Sequence, residues 1–102
     1  MDSPGARCLF TVADTLVIRG RGLVLTPGIV PMGRERFRAG DPLRLKRPEG
    51  TILPTAIGNL ELPTPNPKQE IFVLLKGLAK EDVPIGTEVW SCGALRLANT
   101  SL

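Results

Sequence analysis

Histidine is absent from this sequence of 102 residues. Its absence removes the most common general base, the most common metal ligand and every Ser/His or Cys/His catalytic dyad. The carboxylates are scattered and show no pair arranged for acid–base chemistry. Cys8 and Cys92 lie too far apart in sequence to form a recognised zinc-ligand spacing. We therefore expect a protein that is not an enzyme and that holds no metal or other cofactor.

Aromatic residues are few, and tyrosine is absent. The chain has three phenylalanines and one tryptophan, so leucine, valine and isoleucine must fill most of the core. So small a number also argues against a single-stranded nucleic-acid binder that stacks bases on several aromatic side chains.

Long apolar runs are missing too. No run approaches the roughly 18 to 20 residues of a membrane-spanning helix, and the first ten residues, MDSPGARCLF, do not resemble a signal peptide. We therefore expect a soluble, cytoplasmic protein with no membrane partner, and the initiating Met1 favours a complete small protein. Two cysteines are too few for a disulfide framework, which predicts buried free thiols; a bridge between terminal strands is the alternative.

The charge is mildly basic. There are 13 Lys and Arg residues against 10 Asp and Glu, for a net charge of +3, and nine of the 13 are arginine. Arginine suits bidentate contacts with phosphate or carboxylate. A charge of this size permits an anionic partner without requiring one, because it also keeps a small domain soluble.

Glycine and proline, in contrast, are plentiful, with 11 and 10 residues. They recur between short β-type runs, which indicates an all-β sandwich or barrel. A chain of this length cannot divide its core, so residues 1–102 are predicted to form one domain. The predicted strands are CLFTVA, TLVIR, GLVLT, PLRLKR, TILPTAIGNL, EIFVLLK and TEVWSC.

Two of these runs predict how their strands are buried. In PLRLKR, leucines alternate with basic residues, which predicts one apolar face and one solvated face. EIFVLLK is apolar on both faces and predicts a central strand. Between the strands, PMGRERFRAGD and ELPTPNPKQE are predicted loops, and LAKEDVPIG predicts a single helical turn before Pro84.

The segment DTLVIRGRGLVLTPG, residues 14–28, sets two arginines and two glycines between apolar runs. The phosphate-binding pattern GxxxxGK[ST] is absent, and a dinucleotide fingerprint would need glycine where Leu25 stands. Because glycine adopts positive φ without steric cost, the two glycines predict a tight turn that presents Arg19 and Arg21 near its apex.

More basic residues follow in GRERFRAGDPLRLKR. If this segment faces the same way as the turn, the two form a patch suited to RNA phosphates. Otherwise the arginines are simply solvated. The candidate nucleic-acid contacts are Arg19, Arg21, Arg34, Arg36, Arg38, Arg44, Lys46 and Arg47.

Three segments taken in order, FTVADTLVIRGRGLVLTPGIV, FRAGDPLRLKR and IFVLLKGLAKEDVPIGTEVW, resemble the β-barrel domain 2 of translational GTPases. Elongation factor Tu is the closest pattern, and the resemblance covers roughly residues 8–92. It implies a closed, mostly antiparallel β-barrel of about six or more strands. The short termini outside that range are expected to be frayed.

The resemblance also assigns one binding position. Asp14 stands where the family has an acid before the GRG turn, in the pocket that holds the aminoacylated 3′ end of tRNA. Ala13 replaces the other acid of that pair, and Pro27 is inserted before Gly28. The P-loop and NKxD elements of the family's GTPase domain do not occur in this sequence, so we expect no GTP binding.

The predicted function is therefore a non-enzymatic binding module that contacts RNA (tRNA or rRNA) or a ribonucleoprotein through an arginine-rich face. The alternative is a protein-interaction module that docks on a GTPase or another partner chain. An apolar patch would serve that alternative, and Met32, Phe37 and Leu60 are its candidates. A small-molecule pocket has no positive support in the sequence.

Overall fold

The computed structural model describes residues 6–92, and within them the chain forms eight β-strands and one short 3₁₀ turn. The all-β prediction is confirmed. The strands are β1 (Cys8–Thr11), β2 (Asp14–Ile18), β3 (Gly22–Ile29), β4 (Pro42–Lys46), β5 (Ile52–Ala56), β6 (Asn59–Glu61), β7 (Ile71–Leu75) and β8 (Glu88–Ser91). The 3₁₀ turn, Lys80–Asp82, lies where the single helical turn was predicted.

The strands are arranged in two four-stranded sheets. The first sheet has the order β1-β8-β4-β5, and the second has the order β2-β3-β7-β6. Every pairing is antiparallel. In the described part of the chain, β1 and β5 pair on one side only, as do β2 and β6, so each sheet keeps two edges.

The chain passes from the first sheet to the second at a corner between β5 and β6. Ile57 N–H still donates to Asp41 O on the side of the first sheet, at 2.9 Å. The next residue, Gly58, donates its N–H to Leu74 O in the second sheet, at 2.8 Å. The run TILPTAIGNL, predicted as one strand, is therefore two strands in different sheets.

A similar corner joins β1 to β2. Val12 N–H donates to Thr87 O at 2.8 Å, and Ala13 N–H donates to Thr26 O at 2.7 Å. The prediction of a closed barrel was wrong: the sheets are connected at corners by isolated hydrogen bonds, and within residues 6–92 no ladder joins the edges of one sheet to those of the other.

The core lies between the inner faces of the two sheets. In the first sheet, Phe10, Val89, Leu45 and Leu53 form one row across all four strands. Full burial of a side chain such as Leu45 or Val89 contributes about 1.5–3 kcal/mol, and the partly buried Leu53 contributes less. The buried core cluster is Leu9, Phe10, Val12, Leu23, Leu25, Ile29, Leu43, Leu45, Ile57, Val73, Leu75, Val83 and Val89.

The burial of two strands agrees with their sequence patterns. In β4 the leucines are buried while Arg44 and Lys46 are exposed, which confirms the predicted alternation. β7 lies between β3 and β6, and its last three residues, Val73, Leu74 and Leu75, are fully buried. The prediction of a central strand is confirmed.

The GRG segment is the predicted tight turn between β2 and β3. Arg21 N–H donates to Ile18 O at 2.9 Å, which closes the turn. Gly22 has φ +125°, and a Cβ placed there would lie 2.5 Å from Leu75 O of β7. Glycine at this position therefore provides both the turn conformation and the close approach of β3 to β7.

Pro27 interrupts β3 because it has no N–H to donate to a ladder. The pairing between β3 and β7 is irregular between Leu25 and Ile29. Inside this gap, Gly28 N–H donates to Glu70 Oε1 at 3.1 Å. Glu70 thus replaces a missing ladder partner and connects the proline-rich loop before β7 to β3.

Both cysteines are free thiols, as predicted. Each is partly exposed, however, so the expectation of burial was wrong. Among the described residues, no helix has the length and apolarity that crossing a membrane requires. The prediction of frayed termini concerns residues 1–5 and 93–102, which lie outside the described residues.

Candidate nucleic-acid interface

The predicted contact arginines separate into two groups at opposite ends of β3. Arg19 and Arg21 lie in the turn before β3, whereas the arginine loop, residues 30–41, follows it. β3 is eight residues long and spans on the order of 20 Å at about 3.3 Å per residue. Arg21 forms an ion pair with Glu61 of β6. The turn and the arginine loop therefore do not form one patch.

The arginine loop carries Arg34, Arg36 and Arg38, all with exposed side chains. An ion pair connects this loop to the start of β1. Arg7 Nε lies 2.7 Å from Glu35 Oε2, and Arg7 Nη2 lies 2.8 Å from Glu35 Oε1. The Arg7 guanidinium, through these hydrogen bonds, holds the pKa of Glu35 below its ordinary value.

This connection fixes where the arginine loop lies in the fold. Ser91 N–H at the end of β8 donates to Arg7 O at 2.9 Å. Leu43, near the start of β4, is the cross-strand neighbour of Ser91. The arginine loop is therefore held at the end of the first sheet where β8 ends and β4 begins.

Two further predicted residues lie on the outer face of β4. Arg44 and Lys46 are exposed, and their partners on β8 are Trp90 and Glu88. Trp90 is partly exposed, and its Nε1 donates to Glu88 Oε1 at 2.9 Å. Beside them is a surface pocket of about 170 Å³, lined by Ala6, Arg44, Lys46, Ile52, Trp90 and Ser91.

Arg47 and Asp14 have different surroundings. Arg47 is half-buried, and its Nε donates to Asp82 O at 2.9 Å, so its guanidinium holds the 3₁₀ turn. Asp14 is 75% exposed and lies 3.9 Å from Lys80 Nζ. Its Oδ1 accepts the N–H of Thr15 at 2.8 Å. Arg47 therefore contacts the 3₁₀ turn, whereas Asp14 is the cross-strand neighbour of Thr26 on β3.

The apolar candidates do not form a surface patch. Met32 is 60% exposed, but Phe37 and Leu60 pack against the core. A different exposed pair is present on the edge strand β2, where Leu16 and Val17 are each 60% exposed.

Sequence reasoning missed two residues of this region, Arg7 and Trp90. The period-two pattern of TEVWSC carries a usable signal for Trp90, because it places Trp90 and Glu88 on one face and Val89 on the other. No comparable signal exists for Arg7, since its partner Glu35 lies 28 residues away and only the fold brings them together.

Cys8 is the cross-strand neighbour of Trp90 on this face. Burial raises the pKa of the Cys8 thiol, and the charge of Glu88 raises it further. Such a thiol is a weaker nucleophile at neutral pH, because less of it is ionised. Within residues 6–92, no three Cys, Asp or Glu side chains form a group that could hold a metal ion.

Comparison of this chain with protein-family models, with curated proteins and with solved structures found no match.

Proposed function

We propose that this chain is a non-enzymatic RNA-binding module that acts through a basic surface at one end of the first sheet. The observation that carries this proposal is the position of the arginine loop, which Arg7 holds beside exposed cations of β4. The basic surface consists of Arg34, Arg36, Arg38, Arg44 and Lys46.

The charges of this surface suit a phosphate backbone. Arg44 and Lys46 are two residues apart on a strand, about 7 Å, so that each can contact a different phosphate. The carboxylate of Glu35 within the loop is paired with Arg7 and offsets little of the neighbouring positive charge. Arginine in the loop can bind phosphate through two parallel hydrogen bonds.

The resemblance to domain 2 of translational GTPases supports the choice of RNA as the partner. On that resemblance the partner is tRNA or rRNA, alone or in a ribonucleoprotein, and the chain acts in the cytoplasm and binds no GTP. Asp14 is exposed, and its side chain contacts Lys80 and Thr15, neither of which belongs to the basic surface, so RNA binding by that surface does not depend on a pocket for the aminoacyl end.

The test is fluorescence anisotropy of labelled total tRNA at about 50 and 200 mM salt. Five phosphate contacts predict roughly a 100-fold loss of affinity over this range, because each contact releases condensed counterions. Each phosphate contact contributes about −0.7 to the slope of log affinity against log salt for a single strand. The variant Arg44→Ala/Lys46→Ala removes two contacts, so its slope should be less negative by about 1.4.

A matched control removes two charges from the other end of the molecule. Arg19 and Lys76 are exposed and lie at the end of the second sheet near the GRG turn. Arg19→Ala/Lys76→Ala should therefore keep the slope of the unmodified protein. Binding that is absent or insensitive to salt contradicts the proposal, and an equal loss in both double variants contradicts the location of the surface.

One observation favours the alternative of a protein partner. The edge strand β2 exposes Leu16 and Val17, which are consecutive and point to opposite faces of the sheet, and an edge strand with exposed apolar side chains is a site where another chain can pair. Replacing both residues with lysine would block such pairing without touching the basic surface. A stable complex with another protein that is lost in this variant, together with no binding to tRNA, would favour the alternative.

A further inference from the structure

Trp90 occupies the middle of the outer face of the first sheet. β8 has neighbours on both sides, and Trp90 is opposite Cys8 of β1 and Arg44 of β4. Arg44, Lys46 and Ile52 around it are exposed, so the face is accessible to a ligand.

The orientation of the indole is fixed before any ligand binds. Trp90 Nε1 donates to Glu88 Oε1 at 2.9 Å, and both residues lie on the same face of β8. The polar edge of the ring is therefore directed along the strand. A ring already held in place loses little conformational entropy when a ligand packs against it.

The pocket beside Trp90 combines two kinds of surface. Trp90, Ile52 and Ala6 provide apolar area, while Arg44 and Lys46 provide positive charge. Its volume of about 170 Å³ is below the roughly 300 Å³ at which pockets for drug-sized ligands begin, so its size matches a single ring system. A flat ring attached to anionic groups is the chemistry of a nucleotide within a strand.

We propose that this pocket holds one nucleobase of single-stranded RNA, stacked on Trp90, while Arg44 and Lys46 contact the adjacent phosphates. The inference rests on the proposed function and specifies its substrate, since the bases of a duplex are stacked on one another and cannot enter such a pocket. One stacking position orients the strand on the sheet, and the arginine loop then contacts further phosphates.

Trp90 is the only tryptophan of the chain, so its intrinsic fluorescence reports on this pocket alone. The experiment titrates the protein with a short oligouridylate and, separately, with a mixed-sequence RNA duplex of the same length. Single-stranded RNA should quench the fluorescence with the same midpoint that anisotropy gives, and the duplex should not. Inorganic polyphosphate serves as an anion without bases, and equal quenching by polyphosphate would overturn the stacking arrangement.

A pair of variants provides a second readout. Trp90→Phe keeps an aromatic ring and should retain most of the affinity for oligouridylate, whereas Trp90→Leu should lose about 10-fold or more. Circular dichroism and thermal unfolding show whether each variant folds. The quenching experiment uses the unmodified protein, so it remains valid if a variant does not fold. Salt-sensitive binding with no quenching overturns this inference and leaves the RNA-binding function standing, while no binding in anisotropy overturns both.

Discussion

Arg7 and Glu35, 28 residues apart in sequence, form an ion pair with two N–H···O contacts, at 2.7 and 2.8 Å. The same guanidinium donates to the carbonyl oxygens of Cys8 and Val30, each at 3.2 Å. Glu35 also accepts the N–H of Met32 at 2.9 Å. One charged pair thus connects the arginine loop to the start of β1, and its two side chains are 26% and 27% exposed.

Glu35→Gln should lower the free energy of unfolding by about 1–2 kcal/mol. The amide can accept fewer charge-assisted hydrogen bonds, and the partly buried Arg7 loses its counter-charge. Urea denaturation measures the difference. Glu81→Gln is the matched control, because Glu81 is exposed on the 3₁₀ turn and should change stability little. Equal stability of both variants would show that the pair contributes nothing.

Acid should remove the contribution of the pair. The pKa of Glu35 is held below its ordinary value of 4.5, chiefly by the hydrogen bond from Arg7. A lowered folded-state pKa stabilises the protein above the unfolded-state pKa, and this stability is lost as the pH falls through the folded value. The stability difference between the unmodified protein and Glu35→Gln should be constant near neutral pH and shrink below about pH 4. Thermal unfolding across this range measures it, and a difference that does not shrink as the pH falls below 4.5 would contradict the prediction.

The sequence predicted the local structure well because that structure depends on period and on turn chemistry. Alternation in PLRLKR identified the buried and exposed faces of β4, and the GRG segment identified the turn before β3. Closure of the barrel failed as a prediction for a different reason. It depends on whether the edge strands of the two sheets pair, which is a long-range property that no local pattern records; at the corner between β5 and β6, Ile57 and Gly58 each donate one hydrogen bond, to different sheets.

Only part of the candidate site could be predicted from the sequence, because long-range contacts decide which predicted residues come together. Arg19 and Arg34 are alike in sequence, but β3 separates them, and no local pattern records which end of a strand a loop will join. The position of the arginine loop depends on the pairing of Arg7 with Glu35, which is a long-range contact. Trp90, in contrast, could have been placed on the outer face from the alternation in TEVWSC.

Gly22→Ala should destabilise the protein by more than about 2 kcal/mol, because the new Cβ would lie 2.5 Å from Leu75 O in a backbone conformation with φ +125°. Gly50→Ala is the control, because it measures only the cost of placing alanine in a backbone conformation with positive φ. Gly50 has φ +105°, and apart from its chain neighbours no atom of residues 6–92 lies within 4 Å of the added Cβ, so its cost should be about 1–2 kcal/mol. Chemical denaturation compares them. If the two substitutions lower the free energy of unfolding equally, β3 and β7 can move apart at no cost to accommodate the new Cβ.

Leu45 and Lys46 are neighbours on β4 with opposite surroundings. Leu45 is fully buried in the row of side chains across the first sheet, and Leu45→Ala should cost about 2–5 kcal/mol through lost burial and the cavity that remains. Lys46→Ala should change stability by less than about 0.5 kcal/mol, because its side chain is exposed. Urea denaturation tests both. A large loss in Lys46→Ala would mean that the binding variants of this face report on folding and not on contacts.

Cys8 should react slowly with alkylating reagents. Burial raises its pKa above the ordinary 9.0, and the charge of Glu88 adds to the effect, so little thiolate is present at pH near 8. The measurement follows alkylation of a Cys92→Ser protein by mass spectrometry as a function of pH, and the midpoint of the rate should lie above 9.0. Glu88→Gln should move the midpoint down, because it removes a negative charge that opposes ionisation. A midpoint at or below 9.0, or one that Glu88→Gln does not change, would contradict this account of the face that carries Cys8 and Trp90.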